Sequence, residues 1–230
     1  MTIWKRLLSI FSHRSAESAL DELVPAGLKP SPGEVGTQVS DEEVLALTQA
    51  RIDALVWGGF EKKSEIFEHI VEAWDWEHDL DRDWLRARIG EQMRRKRDAE
   101  RQWPATTDND RLAMAFVALT GRGVIALHNA GYTMQDGLCD VSQALHDAEI
   151  DAPEFVGWCF YHQQDVEAVL ETQRLYLAFG AFDGEAAQSL AVAEIVQRSL
   201  REAGLQTQWS GDIDTRLAIE PFHWQRRGNA

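Results

Sequence analysis

The segment Phe155-Val156-Gly157-Trp158-Cys159-Phe160-Tyr161 carries no charged or strongly polar side chain on either of its alternating faces. Successive side chains of a strand point to opposite sides of the sheet, so a strand of this kind must be covered on both sides. The chain around it supplies the cover. Leu112, Ala115, Phe116 and Leu119 fall on one stripe of a helix that Thr107 can cap, with Asp108 and Asp110 in its first turn. Gly121-Arg122-Gly123 ends that helix, and residues 124–127 read as a strand. After a polar turn (residues 129–137) a helix is expected over residues 141–148.

Downstream, His162-Gln163-Gln164-Asp165 opens a short helix, and residues 175–179 are a further strand. A long helix follows with Val192, Ile195, Val196, Ser199, Leu200 and Ala203 in register, closed by Gly204. Residues 207–209 and 217–219 read as strands joined by a hairpin loop over 210–214. The expected class is α/β (α+β): a twisted sheet of about five strands with packed helices, preceded by a helical subdomain.

That subdomain shows as three helical patterns. The first, behind Ser40 as a cap, carries Val44, Thr48, Ile52, Leu55 and Val56 and stops at Gly58-Gly59. The second places Ile66, Phe67, Ile70, Val71 and Trp74 on one face. The third carries Leu85, Ile89 and Met93 into the basic run Arg94-Arg95-Lys96-Arg97, which is expected to be a solvated helix end. Residues 1–13 form a short amphipathic pattern, and Pro25, Pro30, Pro32, Gly27, Gly33 and Gly36 mark a linker behind it. The expected organisation is an arm and linker over 1–39, a helical subdomain over 40–105 and a sheet domain over 106–230. Residues 40–230 are expected to form one compact unit.

The 230 residues carry a formal charge of −15. Phosphate binding draws its affinity from clustered Lys and Arg, so nucleic acid is not an expected ligand. A surface of this sign suits a basic partner, although solubility alone also accounts for it. Two cysteines, Cys139 and Cys159, give no disulfide framework and suit a reducing cytoplasm. No stretch approaches the length of a membrane span, so no integral insertion is expected.

Two segments are candidate sites. His162 and Asp165 lie where a buried strand gives way to a helix, a frequent place for ligands in α/β sheets. With Asn129 and Thr133 from the neighbouring strand end they make a candidate catalytic set, His162 as general base and Asn129 or Thr133 holding a substrate oxygen. The same residues also suit a helix start, Asp165 and Gln164 satisfying its free donors. The second segment interleaves acid and tryptophan: Trp74, Asp75, Trp76, Glu77, Asp79, Asp81, Asp83 and Trp84 form a candidate partner-binding surface. A polar loop with its tryptophans folded inward is the competing reading. No metal site is expected, since Cys159 and His162 would point to opposite faces of a continuing strand. Gly121-Arg122-Gly123 follows a helix and precedes a strand, the reverse of a phosphate loop, and no cofactor is expected.

Five segments together resemble an uncharacterised bacterial domain-of-unknown-function family. They are Trp103-Pro104 with Thr107 to Leu112; Asn129-Ala130-Gly131-Tyr132-Thr133 with Asp136-Gly137; Phe160 to Asp165; residues 175–180; and Phe222-His223-Trp224-Gln225-Arg226-Arg227. The resemblance covers about residues 40–227 and implies a bacterial origin and a shared fold. It transfers no catalytic residue.

From the residues themselves, the leading expectation is a non-enzymatic protein-binding module. In its narrower form this is an immunity-type antitoxin that neutralises a basic bacterial toxin such as a nuclease. The alternatives are a hydrolase-like small-molecule enzyme at His162 and Asp165, and a regulatory adaptor that uses the N-terminal arm.

Overall fold

A computed structural model describes residues 41–74, 81–147 and 155–228. The expected arm, linker and Ser40 cap lie outside the described residues. The chain divides into residues 1–46 and 47–230; of the first unit only residues 41–46 are described, as the opening turns of a helix.

The described elements follow in the order α1 (Asp41–Gly58), α2 (Lys63–Trp74), α3 (Arg82–Glu100), α4 (Asp108–Thr120) and β1 (Val124–Leu127). Then come α5 (Met134–Asp147), β2 (Gly157–Phe160), α6 (Gln163–Thr172) and β3 (Leu175–Ala181). The chain closes with α7 (Ala186–Glu202), β4 (Thr207–Gln208) and β5 (Leu217–Ile219). The five strands make one open mixed sheet in the order β1-β2-β3-β5-β4. Only β1 and β2 run parallel, Ala126 opposite Cys159, with α5 as the crossover between them. The other three pairings are antiparallel. This is an α+β fold with its helices leading the sheet.

The composition of β2 explains the layering. Cys159 faces a core built with Leu112, Phe116 and Leu119 of α4 and Val192, Val196 and Leu200 of α7. Trp158 and Phe160 face the opposite side, where Val141 of α5, Ile125 and Ala178 meet them. Each fully buried Leu, Ile or Phe contributes about 2 kcal/mol through apolar surface removed from water. Gly157 is required by close approach: a Cβ there would lie 2.5 Å from the Gly180 carbonyl oxygen and 2.5 Å from a Val192 methyl.

Ile52, Leu55 and Val56 of α1 pack with Ile66 and Ile70 of α2 and Leu85 and Ile89 of α3 as a separate apolar cluster. Two expectations need correction. The helix expected over 141–148 begins at Met134, because Thr133 caps it. The basic run is not wholly solvated. Lys96 is 3% exposed and donates to the Val56 carbonyl oxygen at 3.0 Å. One turn of α3 therefore aims a lysine at the carboxyl end of α1, where free carbonyls accept it.

Residues 222–228 return as a strap over the helical elements. Phe222 joins the main core, and Trp224 Nε1 donates to the carbonyl oxygens of Trp57 and Gly58, each at 3.2 Å. The Gln225 N–H donates to Asn109 Oδ1 at 2.6 Å, and Arg227 donates to the Pro104 carbonyl oxygen at 2.7 Å. The Gly228 N–H reaches Glu100 Oε1 at 3.0 Å.

Candidate functional site

The parallel pair β1 and β2 ends in two loops that are tied to each other. The Ala130 N–H donates to the Tyr161 carbonyl oxygen at 2.8 Å, and the Gln163 N–H to that of Gly131 at 3.1 Å. Asn129 turns the first loop in the left-handed region at φ 50°, a conformation asparagine tolerates better than most side chains. All four catalytic candidates stand on or beside these loops: Asn129 and Thr133 on the first, His162 and Asp165 on the second.

Each helix start here uses the same device. Thr133 Oγ1 and the Thr133 N–H donate to Asp136 Oδ2 at 2.9 and 3.0 Å, which opens α5. The Thr107 N–H donates to Asp110 Oδ2 at 2.8 Å, and the Asp110 N–H returns to Thr107 Oγ1 at 3.2 Å, which opens α4. At α6 the His162 N–H donates to Asp165 Oδ2 at 3.0 Å. In all three an aspartate three residues into the helix accepts from the backbone that precedes it. The Thr133 hydroxyl and N–H hold the exposed Asp136 carboxyl below the usual carboxylate range.

Asp165 has a second partner. Arg216, in the turn before β5, donates from Nη2 to Asp165 Oδ2 at 2.6 Å and to the Tyr176 carbonyl oxygen at 3.1 Å. His162 Nδ1 lies 3.2 Å from the same carboxylate oxygen but outside hydrogen-bond alignment. His162 is 5% exposed, and burial pulls its imidazole below the usual histidine range against the opposing pull of Asp165. The neutral ring is the form this pocket favours, and a neutral imidazole can accept a proton. Asn129 Oδ1 and Gln163 Nε2 are buried without a hydrogen-bond partner among the described residues. Nearby, His128 Nδ1 lies 2.9 Å from the Tyr161 hydroxyl, and its ring stacks on Phe116 with centroids 4.4 Å apart. Burial brings His128 down to about 4 and pushes the Tyr161 hydroxyl up.

Sequence reasoning missed Arg216, for which a lone arginine in a hairpin turn gives no signal. It also missed Asp136 as a capping residue. There the Thr-x-x-Asp spacing was available, the same as at Thr107 and Asp110.

Of the acidic, tryptophan-containing surface, Trp74 ends α2, and Asp75, Trp76, Glu77 and Asp79 lie outside the described residues. Asp81 caps α3, accepting from the N–H groups of Asp83 and Trp84 at 2.8 and 3.0 Å. The Asp83 side chain is 94% exposed and pairs with Arg86 at 2.9 Å. Trp84 is half-buried against the helical cluster, with the Arg88 guanidinium 5.8 Å from its ring centroid.

Among the described residues no group of three His, Cys, Asp or Glu side chains is placed to hold a metal ion. Cys159 is fully buried, and burial raises its thiol. No described helix is long and apolar enough to cross a membrane.

A helical lead-in, an open mixed sheet with one parallel pair, and three aspartate-locked helix starts define an α+β domain. The chain belongs to the family described as Domain of unknown function (DUF6891), whose model matches residues 41–228. No curated protein and no solved structure matches it.

Proposed function

We propose that this protein is an acidic, cytoplasmic protein-binding module, and in its narrower form an immunity-type antitoxin for a basic bacterial toxin such as a nuclease. The reading is supported by how the carboxylates are used. Asp165, the one carboxylate of the candidate catalytic set, is engaged by the His162 N–H and Arg216 and withdrawn from solvent. Asp83, in contrast, stands almost fully exposed on a chain of net charge −15. Exposed carboxylates attract a basic partner and speed its encounter, and neighbouring aromatics stabilise the complex once formed.

The test is capture of partners by the tagged full chain, washed at low and then high salt, beside an Asp83→Lys variant. The reading expects one stoichiometric basic protein that Asp83→Lys retains less well and that is toxic when expressed alone. Equal recovery by both forms, or background alone, removes its support.

A hydrolase-like enzyme at His162, Asp165, Asn129 and Thr133 is the second reading. The unpartnered Asn129 Oδ1 and Gln163 Nε2 favour it, since buried polar atoms without partners mark places where a ligand or water completes the bonding. Under that reading His162→Ala abolishes function while leaving the fold in place. The adaptor alternative depends on residues 1–39, which lie outside the described residues.

A further inference from the structure

The helical elements form a half-open cavity of about 800 Å³ that runs along α3 from Arg86 to Glu100. Its lining joins the end of α1, the start of α2, Arg86 and the second half of α3, and Gly228 of the strap. Val56, Phe67 and Met93 give it an apolar wall. Lys62, Lys63, Arg86, Lys96 and Arg97 bring five cationic side chains to it against three lining carboxylates, with Asp83 paired to Arg86 as a fourth at its edge. This is a local excess of positive charge in a chain of net charge −15. All three lysines among the described residues line this one cavity.

Lys96 marks its inner end. The residues around its ammonium group are themselves cavity-lining: Val56, whose carbonyl oxygen is 3.0 Å away, and Gly59, Glu100 and Gly228. Gly59, at φ 79°, leaves the space the ammonium group occupies, since a Cβ there would lie 2.4 Å from Nζ. An ammonium group has three donors, and the Val56 carbonyl engages one of them. Burial, opposed by Glu100 and reinforced by Arg226, brings Lys96 down to about 8. A buried cation held below its ordinary range gains most from a counter-anion brought alongside it.

We propose that this cavity binds a small organic anion, its carboxylate or phosphate group meeting Lys96 with Lys63 and Arg97 at the rim, and its apolar body lying on Phe67 and Met93. Such a ligand supplies acceptors for the remaining ammonium donors and neutralises the local charge excess. The site does not involve the His162 loops; it adjoins the acidic surface at Arg86, which lines the cavity and pairs with Asp83.

The test is calorimetric titration of the full chain with benzoate, with phenyl phosphate and with neutral benzamide, near pH 7 and again near pH 9.5. At least one anion is expected to bind near pH 7, and benzamide is not. Which anion binds more tightly distinguishes a carboxylate ligand from a phosphate one. Affinity should fall by about tenfold or more near pH 9.5, as Lys96 loses its proton. The double variant Lys63→Gln/Arg97→Gln alters only exposed side chains, keeps the fold, and is expected to weaken binding by about tenfold. Lys96→Met is expected to abolish the pH dependence, with circular dichroism checking that it folds. Equal binding of benzamide and benzoate, no binding of either anion, or unchanged affinity in the double variant each overturns the proposal.

Discussion

Arg216 and Asp165, separated by 51 residues of sequence, meet through a 2.6 Å charge-assisted hydrogen bond that joins the turn before β5 to the first turn of α6. The same carboxylate oxygen accepts the His162 N–H, so one atom fixes a helix start and pins a strand connection to it.

Asp165→Asn should therefore be costly for stability. It leaves the Arg216 guanidinium beside a neutral amide and weakens the cap of α6. Arg216 is partly exposed, which moderates the penalty, and a loss of roughly 2 kcal/mol is expected. Urea unfolding reads it directly. A midpoint equal to that of the parent would show that the network holds nothing together.

His128 should make the fold acid-sensitive. Burial, with the Arg226 charge second, lowers it from 6.5 to about 4. Across that window the unfolded chain binds a proton that the folded chain does not. Stability is thus fully present above about pH 6.5 and declines as pH falls toward 4. His162 adds in the same direction, because burial lowers it as well. The His128 contribution alone amounts to roughly 3 kcal/mol. Denaturant midpoints at several pH values should show a shallower decline in His128→Gln, and parallel curves would contradict this assignment.

Gly157→Ala should be poorly tolerated for a steric reason. The added methyl meets backbone on β3 and a methyl of α7, neither of which can swing aside as the end of a flexible side chain does. Overpacking of this sort costs roughly 1–3 kcal/mol. Thermal unfolding measures it, and an unchanged transition would mean that β2 and β3 separate more easily than their register suggests.

Asp81 and Asp83 should differ although only one residue lies between them. Asp81→Ala removes two accepted N–H bonds and is expected to lose about 1 kcal/mol of stability. Asp83→Lys breaks an exposed pair and sets a cation in the first turn of α3, so its cost in stability is expected to stay below about 1 kcal/mol. Its effect should fall on partner capture and on the salt dependence of that capture. Denaturation and salt-graded elution, run on both variants, separate the two roles.

Where composition dictated structure, the sequence was readable. β2 has to be covered on both sides because it offers water nothing, and α4 announces itself with Thr107, Asp108 and Asp110 at its start. Strand order was not readable: β5 lies between β3 and β4, a choice made by contacts across the whole sheet. The start of α5 was concealed by a glycine, Gly137, which reads as a turn but sits inside the helix because Phe160 fills the space its side chain would need. Lys96 was concealed by its neighbours. Three flanking arginines make the run look solvated, and only the rotation of α3 shows that one of the four cations turns inward. At the candidate site the spacing marked Asp165 as an acceptor at a helix start, and it is the His162 backbone N–H, not the imidazole, that it engages. Arg216, which engages that aspartate, was not visible from spacing, because its position is set by the fold of β5 against β3.

The strap over residues 222–228 has a consequence for how the protein is made. Its contacts reach back to Trp57, Asn109 and Pro104, all of which leave the ribosome long before it. Helices α1 to α4 can form as they emerge, but the carbonyls at the end of α1 and the Asn109 side chain wait for partners more than a hundred residues downstream. Until those partners arrive, the nascent chain exposes the apolar surface that Phe222 and Trp224 will cover, which makes that interval the one in which aggregation competes most with folding.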